Sequence, residues 1–457
     1  MKTETIAAIA TALSNSGIGI VRISGEEAFD VIRRIFRKKN GEKLDTEQSH
    51  RVHYGYVYDG EERLDEVLVL VMKGPHSYTA EDTVEIDCHG GVLMMKRILE
   101  TVIRNGARAA EPGEFTKRAF LNGRIDLSQA EAVIDVIHAQ NDYALKSSVS
   151  QLSGSVSEKI KELREKILYE IAFIESALDD PEHISLDGYG EKLGGVLQPL
   201  EEKIGRLIAS FDNGKVMTEG VKTVILGKPN AGKSSLMNVL LGEERAIVTD
   251  VAGTTRDTLE EKLSFGGITL NVVDTAGIRD TEDVVEKIGV DRAKKAALDA
   301  DLVIYVVDGS RPLDENDADI MDFIRDKKSV LLLNKTDLNT VISAEELEEK
   351  SGRRVIPVSA KEELGIELLE EEIKRLFYHG EIRFNDEVTI TNVRQKSALE
   401  ESLKSLQMVD ASIADGMPED FYSIDLMSAY ESLGTIIGEA VEDDLVNEIF
   451  GKFCMGK

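Results

Sequence analysis

The sequence predicts a multidomain α/β protein, in which an N-terminal α+β domain comes first and an all-α helical domain is interrupted by an inserted parallel-sheet domain. The chain has 457 residues, enough for about three domains of roughly 150 residues each. Strand-like runs come first, helical stripes follow, and strands then alternate with helices before helical stripes return. Because helical patterns flank the alternating segment on both sides, we predict an insertion.

The N-terminal segment is predicted to form a mixed sheet. An apolar stretch at 6–13 resembles the core of a signal peptide, but Glu4 before it and the strand-like run 19–23 after it favour a first β-strand. Similar apolar runs between Gly-rich and charged turns predict strands at 18–23, 67–72 and 83–86 and a helix at 92–103.

Two long amphipathic stripes follow. Apolar residues recur at steps of three and four from Val156 to Leu178, and again from Leu193 to Phe211, where Asn213-Gly214 predicts the end of the helix. Further helices are predicted near the C-terminus at 393–408 and 421–453.

The segment between these stripes predicts a parallel sheet with crossover helices, because apolar strands alternate there with helical patterns. The predicted strands are 223–226, 270–273, 302–307, 330–333 and 355–358. The predicted domain boundaries are 1–119, 120–217 together with 381–457, and 218–380.

The composition is that of a folded, strongly acidic chain. Asp and Glu number 85 against 55 Lys and Arg, so the net charge is −30 and a nucleic acid has to meet a local basic patch or a basic co-protein. With 42% hydrophobic residues and no apolar run of about 18, we expect a soluble, cytoplasmic protein without a membrane span. The two cysteines, Cys88 and Cys454, predict free thiols.

Residues 227–234 carry the phosphate-binding signature G-x-x-x-x-G-K-[ST], directly after a strand and before a helix. In this loop the backbone N–H groups surround phosphates, Lys233 reaches the β- and γ-phosphates, and the Ser234 hydroxyl binds magnesium. The D-x-x-G run 274–277 follows a second strand. Asp274 can hold magnesium through its shell, and the Gly277 N–H can meet the γ-phosphate.

The base that these motifs predict is guanine. Asn334-Lys335-Thr336-Asp337 follows a third strand, and the Asp337 carboxylate can accept hydrogen bonds from both guanine donors, a pair that adenine lacks. The run Ser359-Ala360-Lys361 adds an amide near Ala360 for the guanine carbonyl. The ordered set predicts a GTPase with a Ras-like G domain. The predicted GTP-binding residues are Asn230, Ala231, Gly232, Lys233, Ser234, Ser235, Thr249, Asp250, Val251, Ala252, Gly253, Thr254, Thr255, Asp274, Thr275, Ala276, Gly277, Asn334, Lys335, Asp337, Ser359, Ala360 and Lys361.

Hydrolysis needs a positioned water, and the usual glutamine after D-x-x-G is Ile278, which forms no hydrogen bonds. Thr255 lies at switch I spacing and can give magnesium a second hydroxyl. The residues permit a monovalent cation between Asn230 and switch carbonyls, placing positive charge where an arginine finger acts.

Four further motifs carry a resemblance. They are E-P-G-E-F-T-K-R-A-F-L-N-G-R-I-D-L at 111–127, S-Y-T-A-E-D at 77–82, C-H-G-G at 88–91 and the C-terminal F-C-M-G-K. With the GTPase set, the whole chain resembles the MnmE (TrmE) family of tRNA modification GTPases. It departs from the family pattern at residues 14–17, which replace a Pro-Pro-Gly-x-Gly loop, and at Ala80, which replaces a glycine and matters only if that position has a positive φ.

The resemblance implies a folate-binding N-terminal domain, a helical domain split by the G domain, a constitutive homodimer through the N-terminal domains, and potassium-dependent pairing of G domains. It also implies a hetero-oligomer with an FAD-dependent partner, MnmG (GidA), in which FAD belongs to the partner alone. The implied product is a 5-carboxymethylaminomethyl-type group on carbon 5 of the wobble uridine, position 34 of tRNA. A tetrahydrofolate derivative (5-formyl or 5,10-methylene) is the implied one-carbon donor.

The resemblance also implies site residues. These are Arg22, Glu85, Arg124 and Lys457 for folate; Ser234 and Thr255 for Mg²⁺; Asn230, Thr249, Val251 and Thr254 for K⁺; and Glu286 and Cys454 for catalysis. In the family, Glu286 would orient the water in place of the missing glutamine, and Cys454 would present a thiol to the uridine or the folate.

Other interpretations stay open at this point. By residue type alone, Glu286 is a solvated carboxylate at a helix start, Cys454 a small buried hydrophobe, and Arg22 and Arg124 members of surface ion pairs. The adjacent Cys88 and His89 do not make a metal site without further ligands. An alternative function is a GTPase switch in ribosome assembly; a folate-dependent transferase with a vestigial G domain is disfavoured because every nucleotide motif is intact.

Overall fold

The structure, a computed structural model, describes residues 4–42, 44, 46, 48–242, 260–273, 297–378, 388–439, 441, 443–453 and 456–457. The chain forms two compact units. Unit 1 comprises 1–134, 151–193 and 404–457, and unit 2 comprises 135–150 and 194–403. The three-domain boundaries given above stay a prediction. No helix among the described residues is long and apolar enough to cross a membrane.

Unit 1 contains a mixed seven-stranded sheet of order β3-β4-β5-β6-β2-β1-β7, antiparallel except where β1 pairs with β7. The strands are β1 Ile6–Ile9, β2 Gly19–Ser24, β3 Phe36–Lys38, β4 Arg51–Asp59, β5 Glu62–Met72, β6 Thr83–Cys88 and β7 Arg108–Ala109. The helices that follow these strands or lie between them are α1 Ala28–Ile35, α2 Val92–Arg104, α3 Glu114–Leu121 and α4 Leu127–His138.

Side-chain alternation gives this sheet two different faces. Val21 and Ile23 of β2 are fully buried in a core with Val84 and Ile86 of β6, the α1 side chains and the α2 side chains. The alternate residue Arg22 points to the other face, directly opposite Glu85 in the register of β2 and β6. Burial of Val21 and Ile23 in the core on one face of the sheet therefore places Arg22 and Glu85 on the opposite face.

Further helices belong to unit 1, to unit 2, or to both where the chain passes from one unit to the other. They are α5 Asp142–Leu152, α6 Ser155–Asp179, α7 Tyr189–Glu219, α12 Val393–Ala414, α13 Asp420–Ile437 and α14 Asp443–Gly451. Arg164 of α6 holds α13: its guanidinium lies 4.0 Å from the Tyr430 ring centroid and donates to the Tyr430 carbonyl at 3.2 Å.

Unit 2 contains a six-stranded sheet of order β13-β12-β11-β8-β10-β9, parallel except where β9 pairs with β10. The strands are β8 Val221–Gly227, β9 Glu260–Phe265, β10 Ile268–Val273, β11 Leu302–Asp308, β12 Ser329–Asn334 and β13 Val355–Pro357. The described helices between them are α8 Lys233–Leu240, α9 Glu315–Phe323 and α10 Ala344–Ser351, and α11 Ile366–Tyr378 follows β13. Both faces are buried, because Ile304 and Tyr305 of β11 enter different cores.

Two predicted helix ends are wrong. The helix predicted to stop near Gly214 runs on to Glu219, and Gly214 is used instead for a close approach, because a Cβ there would lie 2.2 Å from the Ile390 carbonyl oxygen. The single helix predicted at 421–453 is two helices, since Gly438 adopts a φ of 91° at the C-cap of α13.

Candidate functional site

The phosphate loop joins the end of β8 to the first turn of α8. Asn230 has a φ of 62° and Gly232 a φ of 98°, so the chain turns sharply before the helix begins at Lys233. A Cβ on Gly232 would lie 2.1 Å from Asn334 Nδ2, so the loop also packs tightly against β12. The first N–H groups of α8, which have no partner within the helix, open toward the loop.

Lys233 is held inside this loop. Its Nζ donates to the Gly227 carbonyl at 2.7 Å and to the Lys228 carbonyl at 2.8 Å. Burial lowers the pKa of the Lys233 ammonium. A phosphate bound at the helix N-terminus would give this ammonium a partner of opposite charge.

Asn334 connects the phosphate loop to the Ser359-Ala360-Lys361 loop. Its Nδ2 donates to the Ala231 carbonyl at 2.8 Å, and its Oδ1 accepts from the Ala360 N–H at 3.0 Å. The side chain is 2% exposed. A single buried amide thus fixes the spacing between the phosphate loop and the loop predicted to meet the base.

Asp337 and Lys335 lie at the same end of β12. The Asp337 carboxylate is exposed and accepts a hydrogen bond from the Ser359 hydroxyl at 2.8 Å. Lys335 has a φ of 67°, and its Nζ lies 2.7 Å from an Asp308 carboxylate oxygen. Burial alone would raise the pKa of Asp308, but the bonds from Lys335 and Ser310 outweigh it and lower that pKa.

A second site lies on the sheet of unit 1, where three of the four predicted folate residues lie around one aromatic ring and the fourth, Glu85, pairs with one of the three. Arg22 Cζ lies 5.1 Å, Arg124 Cζ 4.7 Å and Lys457 Nζ 5.8 Å from the Tyr78 ring centroid. Glu85 accepts from Arg22 Nε at 2.7 Å. Burial and the neighbouring Arg22 lower the pKa of the Lys457 ammonium. Cation–π contacts hold the three cations around the ring.

The C-terminal residues reach this site by a close fit against β1. Arg22 donates to the Gly456 carbonyl at 3.1 Å, and Gly456 has a φ of 92°. A Cβ on Gly456 would lie 2.4 Å from the Ile9 carbonyl oxygen. Only glycine fits at position 456 against β1, and this close packing places Lys457 beside the Tyr78 ring.

A buried ionic network supports the loop that carries Tyr78. Arg118, which is 8% exposed, donates to both Glu81 carboxylate oxygens at 3.2 and 3.0 Å and to Glu114 at 2.9 Å. Asn122 donates to the Thr79 carbonyl at 2.7 Å. Residues of the 111–127 segment therefore hold the loop 77–82, which carries Tyr78, in place through these hydrogen bonds.

Comparisons with known proteins agree along the whole chain. A family model described as "GTP-binding protein TrmE N-terminus" matches residues 5–124, and one described as "MnmE helical domain" matches 127–454. The curated "tRNA modification GTPase MnmE" of Lachnoclostridium phytofermentans is 57% identical, with 100% of both chains covered. Proteins of the same name from Alkaliphilus metalliredigens and Clostridioides difficile are 50% and 48% identical, each with 99% of both chains covered. The chain belongs to the MnmE family of tRNA modification GTPases.

Membership confirms the predicted family, the fold class and the GTPase activity. The helical-domain model of the MnmE family starts before the parallel sheet of unit 2 and ends after it, which confirms the insertion.

Several residues predicted for the MnmE-type site lie outside the described part of the chain. They are Thr249, Asp250, Val251, Ala252, Gly253, Thr254, Thr255, Asp274, Thr275, Ala276, Gly277, Glu286 and Cys454. Sequence reasoning missed Tyr78 and Arg118, although both stand in the motifs that carry the MnmE resemblance. It also missed Asp308, whose position at the end of a buried strand was the available signal.

Proposed function

We propose that this chain hydrolyses GTP within a complex that modifies carbon 5 of the wobble uridine, position 34, in tRNA. In this proposal the FAD-dependent MnmG (GidA) is the partner, and a tetrahydrofolate derivative, 5-formyl or 5,10-methylene, supplies the one-carbon unit. The product is a 5-carboxymethylaminomethyl-type uridine. The name shared by the full-length relatives supports tRNA as the substrate.

The convergence of Arg22, Arg124 and Lys457 on Tyr78, with Glu85 paired to Arg22, carries the folate part of the proposal. A reduced folate joins a flat, donor-rich pterin to a glutamyl tail that bears carboxylates. The Tyr78 ring offers a stacking surface, Glu85 can accept from pterin N–H groups, and the two arginines can clamp carboxylates bidentately. The pocket's cations and aromatic ring therefore fit this ligand.

The nucleotide site supports GTP binding by its own residues. Lys233 and the N-terminus of α8 hold the phosphates, and Asp337, beside the Ser359-Ala360-Lys361 loop, reads guanine. The Ala360 N–H is itself bonded to Asn334, so an amide near Ala360 for the guanine carbonyl stays a prediction. Ser234, in the first turn of α8, fits a magnesium ligand, and we propose Thr255 and Asp274 beside it. Magnesium, when bound, neutralises charge that develops on the phosphates.

We further propose a potassium ion on Asn230, Thr249, Val251 and Thr254, and Glu286 as the residue that orients the water. Asn230, which is exposed in the phosphate loop, supports the potassium site because its side chain offers an amide oxygen as a ligand. Turnover in potassium should exceed turnover in sodium at equal ionic strength, and equal rates would contradict the cation site.

The proposal includes a cytoplasmic homodimer formed through the N-terminal domains, with G domains that pair during hydrolysis. It retains the domain boundaries 1–119, 120–217 with 381–457, and 218–380. Light scattering of the intact protein, with and without GTP, measures the dimer.

Two measurements test the function. Mass spectrometry of the wobble uridine should show the modified nucleoside disappear from cells that lack this protein and return with the wild-type chain. Calorimetry should show that Arg22→Ala and Arg124→Ala each weaken binding of 5-formyltetrahydrofolate by at least about tenfold. Arg97→Ala, which removes an exposed arginine paired with Glu62, is the matched control and should bind normally. No folate binding by the intact protein would remove the folate assignment.

A further inference from the structure

The strands β3, β4 and β5 at one edge of the unit 1 sheet, with the turn residue after β3, carry cations and tyrosines on the face opposite the core. We call this set the basic tyrosine strip, and it consists of Arg37, Lys39, Tyr54, Tyr56, Tyr58 and Arg63. Val57, which alternates with the tyrosines of β4, is fully buried in the core. The tyrosines at positions i, i+2 and i+4 therefore form one row on the open face.

Each tyrosine of the strip has a cation beside its ring. Arg37 Cζ lies 4.4 Å from the Tyr58 centroid, and Arg63 Cζ lies 4.9 Å from the Tyr56 centroid. Lys39 Nζ lies 5.5 Å from the Tyr54 centroid. Register adds to the clustering, because Arg37 is directly opposite Tyr56 on the neighbouring strand.

The charge of the strip is not neutralised by the carboxylates that the structure describes. Among the described residues, no carboxylate is within salt-bridge distance of Arg37, Lys39 or Arg63. Glu66 faces the strip opposite Tyr56 and accepts a hydrogen bond from the Tyr54 hydroxyl. Other acidic residues of these strands form pairs elsewhere: Asp59 with Arg104, Glu62 with Arg97, and Asp65 with His89.

The strip stands out against the charge of the whole chain. Arg37, Lys39 and Arg63 place three basic side chains on the strip, whereas the chain carries a net charge of −30. A polyanion is repelled by most of such a surface and attracted where basic residues cluster. Tyr54 is exposed and Tyr56 and Tyr58 are partly exposed, and tyrosines beside cations give unpaired bases a stacking surface, as in sheet-based RNA-binding modules.

We propose that the basic tyrosine strip docks tRNA. The unstacked bases of a tRNA loop lie on Tyr54, Tyr56 and Tyr58, and Arg37, Lys39 and Arg63 contact phosphates. This inference rests on the proposed function and adds to it the surface by which this acidic chain meets its RNA.

Fluorescence anisotropy with labelled tRNA and the intact protein tests the strip. Tyr56→Ala should weaken binding about tenfold, whereas Tyr56→Phe, which keeps the ring, should bind like the parent. Arg37→Ala with Arg63→Ala should lower the slope of log affinity against log salt by roughly 0.7 for each lost phosphate contact. Arg325→Ala removes an exposed arginine that is paired with Asp322 in unit 2, and it should change neither quantity.

The strip variants should keep their melting temperature and their GTP turnover, because no residue of the strip belongs to the nucleotide site. Unchanged tRNA affinity in the strip variants, or no tRNA binding by the wild-type chain, overturns the inference. If the strip variants have a lower mass in light scattering than the wild-type chain but the same tRNA affinity, the inference is also overturned. The strip is then assigned to contact between two copies of this chain. Wobble-uridine mass analysis in a deletion strain separates these results from failure of the proposed function.

Discussion

Asn334 uses both ends of one side-chain amide to join two loops of the nucleotide site. The amide nitrogen is bonded to the Ala231 carbonyl and the amide oxygen to the Ala360 N–H, so neither end is left for the nucleotide. A buried amide with both ends satisfied is held in one orientation before the ligand arrives. Asn334 therefore contributes to GTP binding indirectly, by fixing the distance between the phosphate loop and the 359–361 loop.

Replacing Asp337 with asparagine should reverse the choice of base. Asparagine cannot accept from both guanine donors, so GTP affinity should fall about 100-fold, or roughly 3 kcal/mol, while xanthosine triphosphate becomes the preferred ligand. Competition binding with both nucleotides measures the switch. Asp326→Asn, an exposed aspartate of unit 2, is the control, and a parent-like GTP affinity in Asp337→Asn would remove the base assignment.

Ala80 adopts a φ of 62°, a left-handed conformation that costs an L-residue roughly 1–2 kcal/mol. Ala80→Gly should therefore stabilise the protein, by about 0.5–1 kcal/mol after the extra freedom of glycine in the unfolded chain is subtracted. Urea unfolding measures the change. Ala172→Gly, on the exposed side of α6, should instead destabilise by about 1 kcal/mol, and equal losses in both variants would contradict strain at Ala80.

At the scale of elements, the phosphate loop and α8 work as one unit whose geometry depends on Gly232. Gly232→Ala would place a methyl group on a residue with a φ of 98°, only 2.1 Å from Asn334 Nδ2. GTP affinity should fall more than about tenfold, because both the loop and Asn334 must shift. Binding of a fluorescent GTP analogue measures this. Gly194→Ala, with open space in α7, should bind normally; a similar loss there would point to a global effect.

Helix α3 is tied to the sheet of unit 1 through Glu114, and this contact should be sensitive to acid. Burial opposes ionisation, but bonds from Arg108, the Glu111 N–H and Arg118 outweigh it and lower the pKa of Glu114 to about 2. The stabilisation is fully present above the ordinary pKa of 4.5 and is lost as pH falls toward 2.

Glu114→Gln should therefore reduce the free energy of unfolding by up to about 2 kcal/mol at pH 7, and the difference from the parent should shrink between pH 4.5 and 2. Chemical unfolding at several pH values measures it. A difference that stays constant with pH would contradict the ionic role of Glu114.

Helices and strands were predictable where the hydrophobic periodicity was strong. They were not predictable where tertiary packing determined the bounds of an element. The stripe from Val156 to Leu178 predicts α6 to within one residue at each end. The end of α7 was missed because Gly214 serves a contact with Ile390, which lies far along the chain. β4 has no apolar run, since Arg51 and His53 stand near its start and its tyrosines then alternate with Gly55 and Val57.

At the scale of the whole molecule, the sequence motifs indicated the site residues but did not predict their arrangement in space. Spacing explains the phosphate loop, because its residues are neighbours in the chain. Hydrophobic periodicity could not predict that Lys457 lies near Arg22 and Tyr78, because this contact depends on the close packing of Gly456 against β1. The resemblance indicated the folate residues, and the structure adds the Tyr78 ring, around which three of the four lie.

GTP hydrolysis and tRNA modification should separate in two complementary variants. Glu286→Ala should lower GTP turnover at least about 100-fold with GTP affinity retained, because it removes only the group proposed to align the water. Cys454→Ser should abolish modification while GTP turnover stays near the parent value, because the C-terminal segment holds none of the nucleotide motifs and serine nearly preserves the volume. Turnover assays and mass analysis of the wobble uridine are made on both variants. If hydrolysis drives the cycle, the Glu286 variant must also lose modification, since its GTP is bound but not consumed. Continued modification in that variant would mean that GTP binding alone is the signal.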